Sequence, residues 1–160
     1  MRSEYEVNRA IDKYSDTVKR ICVVYLKSHS DTEDIFQTVF MKYLLSSNEF
    51  ESDEHEKAWF IRVTINSCKD LLKSFFKKNT VPLEIIAEQS VEMPSENSHV
   101  LEAVLSLPKK YKEVVYLYYY EEYTAVEISK ILNKNVNTVY TLLSRAKALL
   151  KDKLGGEEYE

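Results

Sequence analysis

No glycine occurs before position 155 in this chain of 160 residues, and its prolines are Pro82, Pro94 and Pro108. Glycine and proline are the residues that cost a helix most, so almost every residue ahead of the tail is free to be helical. The fold class expected is all-α. The length suits one compact domain or two small ones, and the hydrophobic fraction of 44% is that of an ordinary globular protein.

Several function classes fall away on composition. No apolar run is long enough to span a bilayer, and the opening "MRSEYEVNRAIDKYSD" is charged and periodic where a signal peptide shows an unbroken hydrophobic core. Direct membrane insertion is not expected, and the cytoplasm is the default location. Cys22 and Cys68 lie far apart in sequence, with no Cys-x-x-Cys pair and no histidine at ligand spacing. Each is expected to be a small buried hydrophobe, with no disulfide, metal site or cofactor. Glu, His and Ser nowhere converge in a nucleophile or phosphate-loop arrangement, so no enzyme is indicated. The net charge of −4 hides an uneven distribution. Residues 1–78 balance, 79–98 carry four glutamates and no base, 99–154 are net positive, and the tail "GGEEYE" is acidic. Basic surfaces therefore survive locally.

Apolar residues recur at Val7, Ile11, Tyr14, Val18, Ile21 and Tyr25, three or four apart, and predict a long amphipathic helix. "SDTEDIFQTVFMKYLLS" then places Ser30 and Glu33 in capping-box relation, with Ile35, Phe36, Val39, Phe40, Tyr43 and Leu44 inward. Its outer face carries Glu33, Asp34, Gln37, Thr38 and Met41. "SSNEFESDEHE" reads as a loop, and "KAWFIRVTINSCKDLLKSFFKK" as a third helix with Phe60, Val63, Ser67, Cys68, Leu71 and Phe75 inward. Arg62, Asn66, Lys69, Asp70, Lys73 and Lys77 share its other side. Three such helices close a small bundle.

Residues 79–98, with two prolines and only acidic charge, form the expected linker between two domains. Pro108 suits the first position of the helix "KKYKEVVYLYYYEEY". Thr124 and Glu127 form a second capping box, which starts a short helix at Ala125 that stops near Leu132. Asn133 suits an αL turn and Asn135 caps a helix from Val136. This spells helix-turn-helix. Val126, Ile128, Ile131 and Leu132 are expected to face Val139, Leu143 and Ala146, leaving Asn137, Thr138, Thr141, Ser144 and Arg145 outward. The same pattern also suits an αα-corner in a plain bundle. Lys130, Lys134, Arg145, Lys147, Lys151 and Lys153 crowd the unit and are placed to meet phosphates. The tyrosines at 116, 118, 119 and 120 spread around a helix and read as packing.

With these segments in place the chain resembles the sigma factors of bacterial RNA polymerase, of the small two-domain extracytoplasmic-function class, from about Tyr14 to Leu154. "DTEDIFQTVF", "AWFIRVTINSCKDLLK" and "LPKKYKEVVYLYYYEEYTAVEISKILNKNVNTVYTLLSRAKALLKDKL" are similar, in order, to the family's three hallmark segments. The resemblance implies two helical domains and a protein that binds core RNA polymerase and promoter DNA without chemistry of its own. Residues 1–78 would be the region-two domain, 79–98 the acidic linker, 99–154 the region-four domain and 155–160 a tail. It implies Glu33, Asp34, Gln37 and Met41 on the polymerase-docking surface, and Arg62, Asn66, Lys69 and Lys73 beside the minus-ten element. Asn137, Thr138, Thr141, Ser144, Arg145 and Lys147 would face the minus-thirty-five element. An anti-sigma factor is a common further partner in the family.

Departures from the family pattern stand at Thr38, Ile65, Asn133, Tyr140 and Leu142, three of them where relatives often carry a cation. The loop "NEFESDEHE", which in relatives helps read the minus-ten base, is unusually acidic. Fewer cations mean weaker phosphate binding and a shallower salt dependence. Glu84, Glu88, Glu92 and Glu96 of the linker either imitate phosphate charge in the polymerase or serve as a solubilising spacer. Two rivals share parts of the pattern: a stand-alone helix-turn-helix regulator, and a sigma-like adaptor that binds only protein.

Overall fold

The structure is a computed structural model and describes residues 1–78 and 98–155, with the backbone alone at 75–78 and Ser98. The chain falls into two compact units that divide at residue 92. All regular structure among the described residues is helical. The linker glutamates, the inward position of Phe75, the outward one of Lys77 and the tail beyond Gly155 lie outside what is described.

The N-terminal unit holds α1 (Glu4–Tyr25), α2 (His29–Leu45) and α3 (Asp53–Lys78). Ser3 and Glu6 start α1 with a reciprocal capping box, which pairs two of the amide groups a helix start leaves orphaned. Val18, Ile21, Cys22, Val39, Phe60, Ile61 and Cys68 are essentially inaccessible and form the seam where the three helices meet. The expected stripe of α1 is present, though Val7 and Ile11 are only half-buried while Ala10 and Thr17 are buried.

Two helix starts differ from expectation. Helix α2 begins at His29, because Ser28 supplies the cap by accepting from the Asp31 amide at 3.2 Å; Ser30 lies inside the first turn, so it caps nothing. Helix α3 begins four residues before the predicted Lys57, because Ser52 accepts from the His55 amide at 3.1 Å. That earlier start carries Glu56 into the core, where it is 4% exposed. Arg9 donates to both of its carboxylate oxygens at 3.1 Å, Tyr14 to one at 3.0 Å and Tyr43 to the other at 2.8 Å. Burial pushes the Glu56 carboxyl up, but the hydrogen bonds from Tyr43, Arg9 and Tyr14 outweigh it and hold the group below its ordinary value. Burial, with the hydrogen bond to Glu56, raises both tyrosine hydroxyls in turn.

Phe60 is the hub of the surrounding rings, with centroids 4.8 Å from Tyr14, 5.2 Å from Phe40, 5.0 Å from Tyr43 and 5.0 Å from Trp59. Arg2 lies 4.3 Å from the Tyr43 ring centroid and donates to the carbonyls of Tyr43 and Asn48, tying the N-terminus to the segment between α2 and α3. Cys22 and Cys68 sit side by side across the α1–α3 seam as free thiols. Their mutual hydrogen bond, together with burial, pushes the Cys68 thiol above its ordinary range.

The C-terminal unit holds α4 (Ser98–Leu105), α5 (Lys109–Val115), a π-helical turn (Tyr116–Tyr120), α6 (Ala125–Leu132) and α7 (Val136–Leu154). Pro108 stands just outside α5 as its N-cap with ψ +151°, one place before the expected first helical position. Val104, Leu107, Val114, Val115, Leu117, Ile128, Val139 and Ala146 build the core. The predicted helix over the tyrosines widens at Tyr116, whose carbonyl accepts from the Glu121 amide five residues on at 3.2 Å. Tyr116 is buried, whereas Tyr118 and Tyr119 are 40% and 55% exposed, so packing accounts for only part of that cluster.

Candidate nucleic-acid interface

The turn between α6 and α7 is set by a capping box at Thr124, a left-handed backbone at Asn133 and a side-chain cap at Asn135. Thr124 accepts from the Glu127 amide at 3.1 Å while the Glu127 carboxylate accepts from the Thr124 amide at 2.9 Å, which fixes where α6 begins. Asn133 ends α6 in the left-handed region at φ +56°, its amide bonded to the Ser129 carbonyl. Two residues later Asn135 accepts from the Asn137 amide at 2.8 Å and starts α7. A left-handed residue followed almost at once by a new cap leaves no slack, so α7 departs at a fixed angle from α6 with its N-terminal end uncovered.

Val139, Leu142 and Ala146 are the residues α7 buries. Leu142 takes the inner position expected for Leu143, which is half-buried, and Val126 is 48% exposed rather than facing α7. One hydrophobic step of about 100° separates 142 from 143, too little for spacing alone to choose between two leucines. Asn137, Thr138, Thr141, Ser144, Arg145 and Lys147 are all exposed. They do not form one row: Asn137, Thr141 and Ser144 lie opposite the buried face, while Arg145 and Lys147, roughly 200° apart, flank it. Tyr140 stands in the same outward surface, 55% exposed, and belongs with these residues although its type gave no polar signal. Ile65 and Leu142, where the resemblance led to the expectation of a cation, are by contrast core, at 2% and 7% exposed. A cation at either place would have to reach around the fold to find solvent.

On α3, Arg62, Asn66, Lys69 and Lys73 fall at intervals of four, three and four, opposite the buried Phe60, Ile61, Thr64 and Cys68. Asn66 and Lys73 are exposed, and Arg62 and Lys69 half-exposed. The stripe therefore presents three cations and an amide along the outer face of one rigid helix. Trp59 borders it but is held by rings, 5.8 Å from Tyr43 and 6.0 Å from Phe50.

On α2, Glu33, Asp34, Gln37 and Met41 are exposed on the side away from Ile35, Val39 and Tyr43. Leu45 extends that face by one turn, 63% exposed beside Met41 at 54%. Acid and amide thus lead into two bare apolar side chains, and the i, i+4 relation of Met41 to Leu45 is the signal that would have included Leu45. Among the described residues no three acidic, His or Cys side chains group to hold a metal, and no helix is long and apolar enough to cross a membrane.

Known proteins share this arrangement. The family pattern described as Sigma-70 region 2 matches residues 10–75, and that described as Sigma-70, region 4 matches residues 99–150. The chain is similar to the RNA polymerase sigma factor SigV of Bacillus subtilis, 28% identical over 146 residues that cover 87% of this chain and 85% of that protein. It is similar as well to the ECF RNA polymerase sigma factor SigW of the same organism, 24% identical over 161 residues covering 90% and 86%. In fold it is similar to the sigma factor RpoE of Bartonella quintana, solved in complex with the anti-sigma factor NepR. The TM-score there is 0.76 at 17% identity, with 94% of this chain and 97% of that one covered.

Proposed function

The chain belongs to the sigma-70 family, as an RNA polymerase sigma factor of the extracytoplasmic-function class, and on that premise we propose how its surfaces divide the work. The outer face of α2, from Glu33 through Asp34, Gln37 and Met41 to Leu45, docks core RNA polymerase. An acidic and amide row ending in bare Met and Leu suits a basic partner helix with an apolar end. The α3 stripe of Arg62, Asn66, Lys69 and Lys73 lies along the opened minus-ten region, where cations on a rigid helix neutralise strand phosphates. Helix α7 enters the major groove at the minus-thirty-five element by its uncovered N-terminal end, with Asn137, Thr138, Thr141 and Ser144 toward base edges and Arg145 and Lys147 toward phosphates on either flank.

The observation that carries this assignment is the pairing of two modules in one chain. A recognition helix fixed by the caps at Thr124 and Asn135 and the left-handed backbone of Asn133 stands in the C-terminal, rear module, and a cationic α3 and an acidic, apolar-ended α2 stand in the N-terminal, front one. A stand-alone helix-turn-helix regulator leaves the front module without a task, and a protein-only adaptor leaves the α3 cations without one. The family is not known for enzymes, and the proposed action is binding and positioning alone. It takes place in the cytoplasm, beside polymerase and chromosome, and an anti-sigma factor covering these same surfaces is the regulator we expect.

Run-off transcription with purified core polymerase tests the proposal. Added protein should produce transcripts from discrete starts that share two upstream elements, and Glu33→Lys with Asp34→Lys should abolish capture by core polymerase. Transcription that does not depend on the protein would overturn it. With three departures from the family's cations, the isolated protein should bind duplex no tighter than about a micromolar at physiological salt.

A further inference from the structure

We propose that Tyr140 is a base-contacting residue of the recognition helix, its ring packed on the C5 methyl of a thymine in the minus-thirty-five element. The inference rests on the assignment of α7 to that element and adds how one of its base pairs is read.

Position comes first. Tyr140 lies in the second turn of α7, three residues after Asn137 and four before Ser144, so the three share one stripe. The adjacent Val139 is fully buried and anchors the backbone, while Tyr140 is 55% exposed. No hydrogen bond or ring contact to any described residue holds it. A tyrosine left bare at the end of a helix that enters a groove offers apolar area to whatever fills that groove.

Chemistry then narrows the ligand. Guanine is ordinarily read by Arg or Lys, adenine by Asn or Gln, and the thymine methyl by apolar contact. The exposed residues of the first two turns of α7 are Asn137, Thr138, Tyr140 and Thr141, all uncharged, and the first cation of the helix is Arg145. Thr141 donates its hydroxyl to the Asn137 carbonyl at 3.0 Å, so its one donor hydrogen is engaged within the helix and its methyl remains for a base. Tyr140 and Thr141 thus set apolar surface beside the Asn137 amide, a combination matched to A·T pairs.

The test uses holoenzyme assembled from core polymerase and the full chain, on a promoter selected from a library randomised across the upstream element. Each thymine of that element is replaced in turn by uracil, which removes only the methyl. For the unaltered protein, one replacement should lower open-complex formation about fourfold, the value of one buried methyl-sized group. Tyr140→Ala should remove that sensitivity and Tyr140→Phe should keep it. Indifference of the unaltered protein to every uracil, or sensitivity that survives Tyr140→Ala, overturns the inference. A loss in Tyr140→Phe equal at all sequences would make the hydroxyl a phosphate contact and also overturn it. Holoenzyme that transcribes without needing the upstream element at all would instead defeat the parent assignment of α7.

Discussion

The N-terminal, front module ties its helices together through a buried carboxylate, Glu56, which draws Arg9, Tyr14 and Tyr43 together from α1 and α2, whereas the C-terminal, rear module sets its own buried carboxylate, Glu113, in a chiefly aliphatic core and settles the turn between α6 and α7 at helix ends. In the first, contacts 13 to 47 residues apart in sequence hold three long helices in register. In the second, contacts two to four residues apart place α6 and the start of α7. The contrast suits the tasks. A stripe of cations along α3 needs a long, straight and well-anchored helix, while a recognition helix needs a fixed angle to its neighbour, and a turn sets an angle more directly than a core does.

Removing the Glu56 carboxylate should therefore have the largest effect. In Glu56→Ala the buried Tyr14 and Tyr43 hydroxyls lose their acceptor while the part-exposed Arg9 turns to water, at a cost of about 2–4 kcal/mol, a large share of what a small domain possesses. Trp59 is the chain's single tryptophan and lies in this module, so its fluorescence in urea reports the loss separately from the rear module. A shift under about 1 kcal/mol, the size of an ordinary point mutation, would mean that the aromatic core carries the module without the charge.

Acid breaks the same network more gently. Because the folded Glu56 carboxyl titrates below its unfolded value, its contribution is complete above the unfolded pKa of about 4.3 and is lost as pH falls through the folded one. Stability followed by Trp59 should fall below about pH 5, by at most about 1.4 kcal/mol per pH unit from this group. Glu56→Gln should lower stability at neutral pH and flatten that part of the slope. An unchanged slope would assign the acid response to other carboxylates.

This division also explains what could be read from the residues alone. The Thr124 box, the left-handed Asn133 and the Asn135 cap are legible because each partner sits within five residues, and they place α6 and the start of α7 where the sequence suggests. Glu56 reads as one more acid in an acidic loop, since neither Arg9 nor Tyr43 is near it in sequence. Ser28 against Ser30, and Leu142 against Leu143, were choices between equal residue types a step or two apart. The outward stripes of α2 and α3 follow from periodicity, but Leu45 and Tyr140 escape a search for polar contacts because they are apolar surface. The π-helical turn at Tyr116–Tyr120 has no spacing signal that we can identify.

Cap removal should cost less than the loss of Glu56 and fall on the other module. Thr124→Ala and Asn135→Ala should each destabilise the rear module by about 1 kcal/mol, leave the Trp59 transition in place and weaken transcription from promoters that rely on the upstream element. If either variant also shifts the Trp59 transition, the two modules are not energetically separate and the contrast drawn between them fails.

The smallest expected effect is a gain. Glu122 joins the π-helical turn to α6 with φ +64°, a left-handed conformation that costs a residue with a Cβ roughly 1–2 kcal/mol. The turn is imposed from both sides: the Tyr123 amide reaches back to the Leu117 carbonyl at 3.0 Å, and the Thr124 box begins immediately after. Glycine takes this conformation freely but also gains freedom when unfolded, so Glu122→Gly should net a stabilisation of about 0.5 kcal/mol, read as a small rise in the rear module's melting temperature. Glu122 is exposed, so no packing is lost to obscure the result. A fall in melting temperature would mean that the connection relaxes out of the left-handed region, and that α6 is positioned by its core contacts more than by the backbone leading into it.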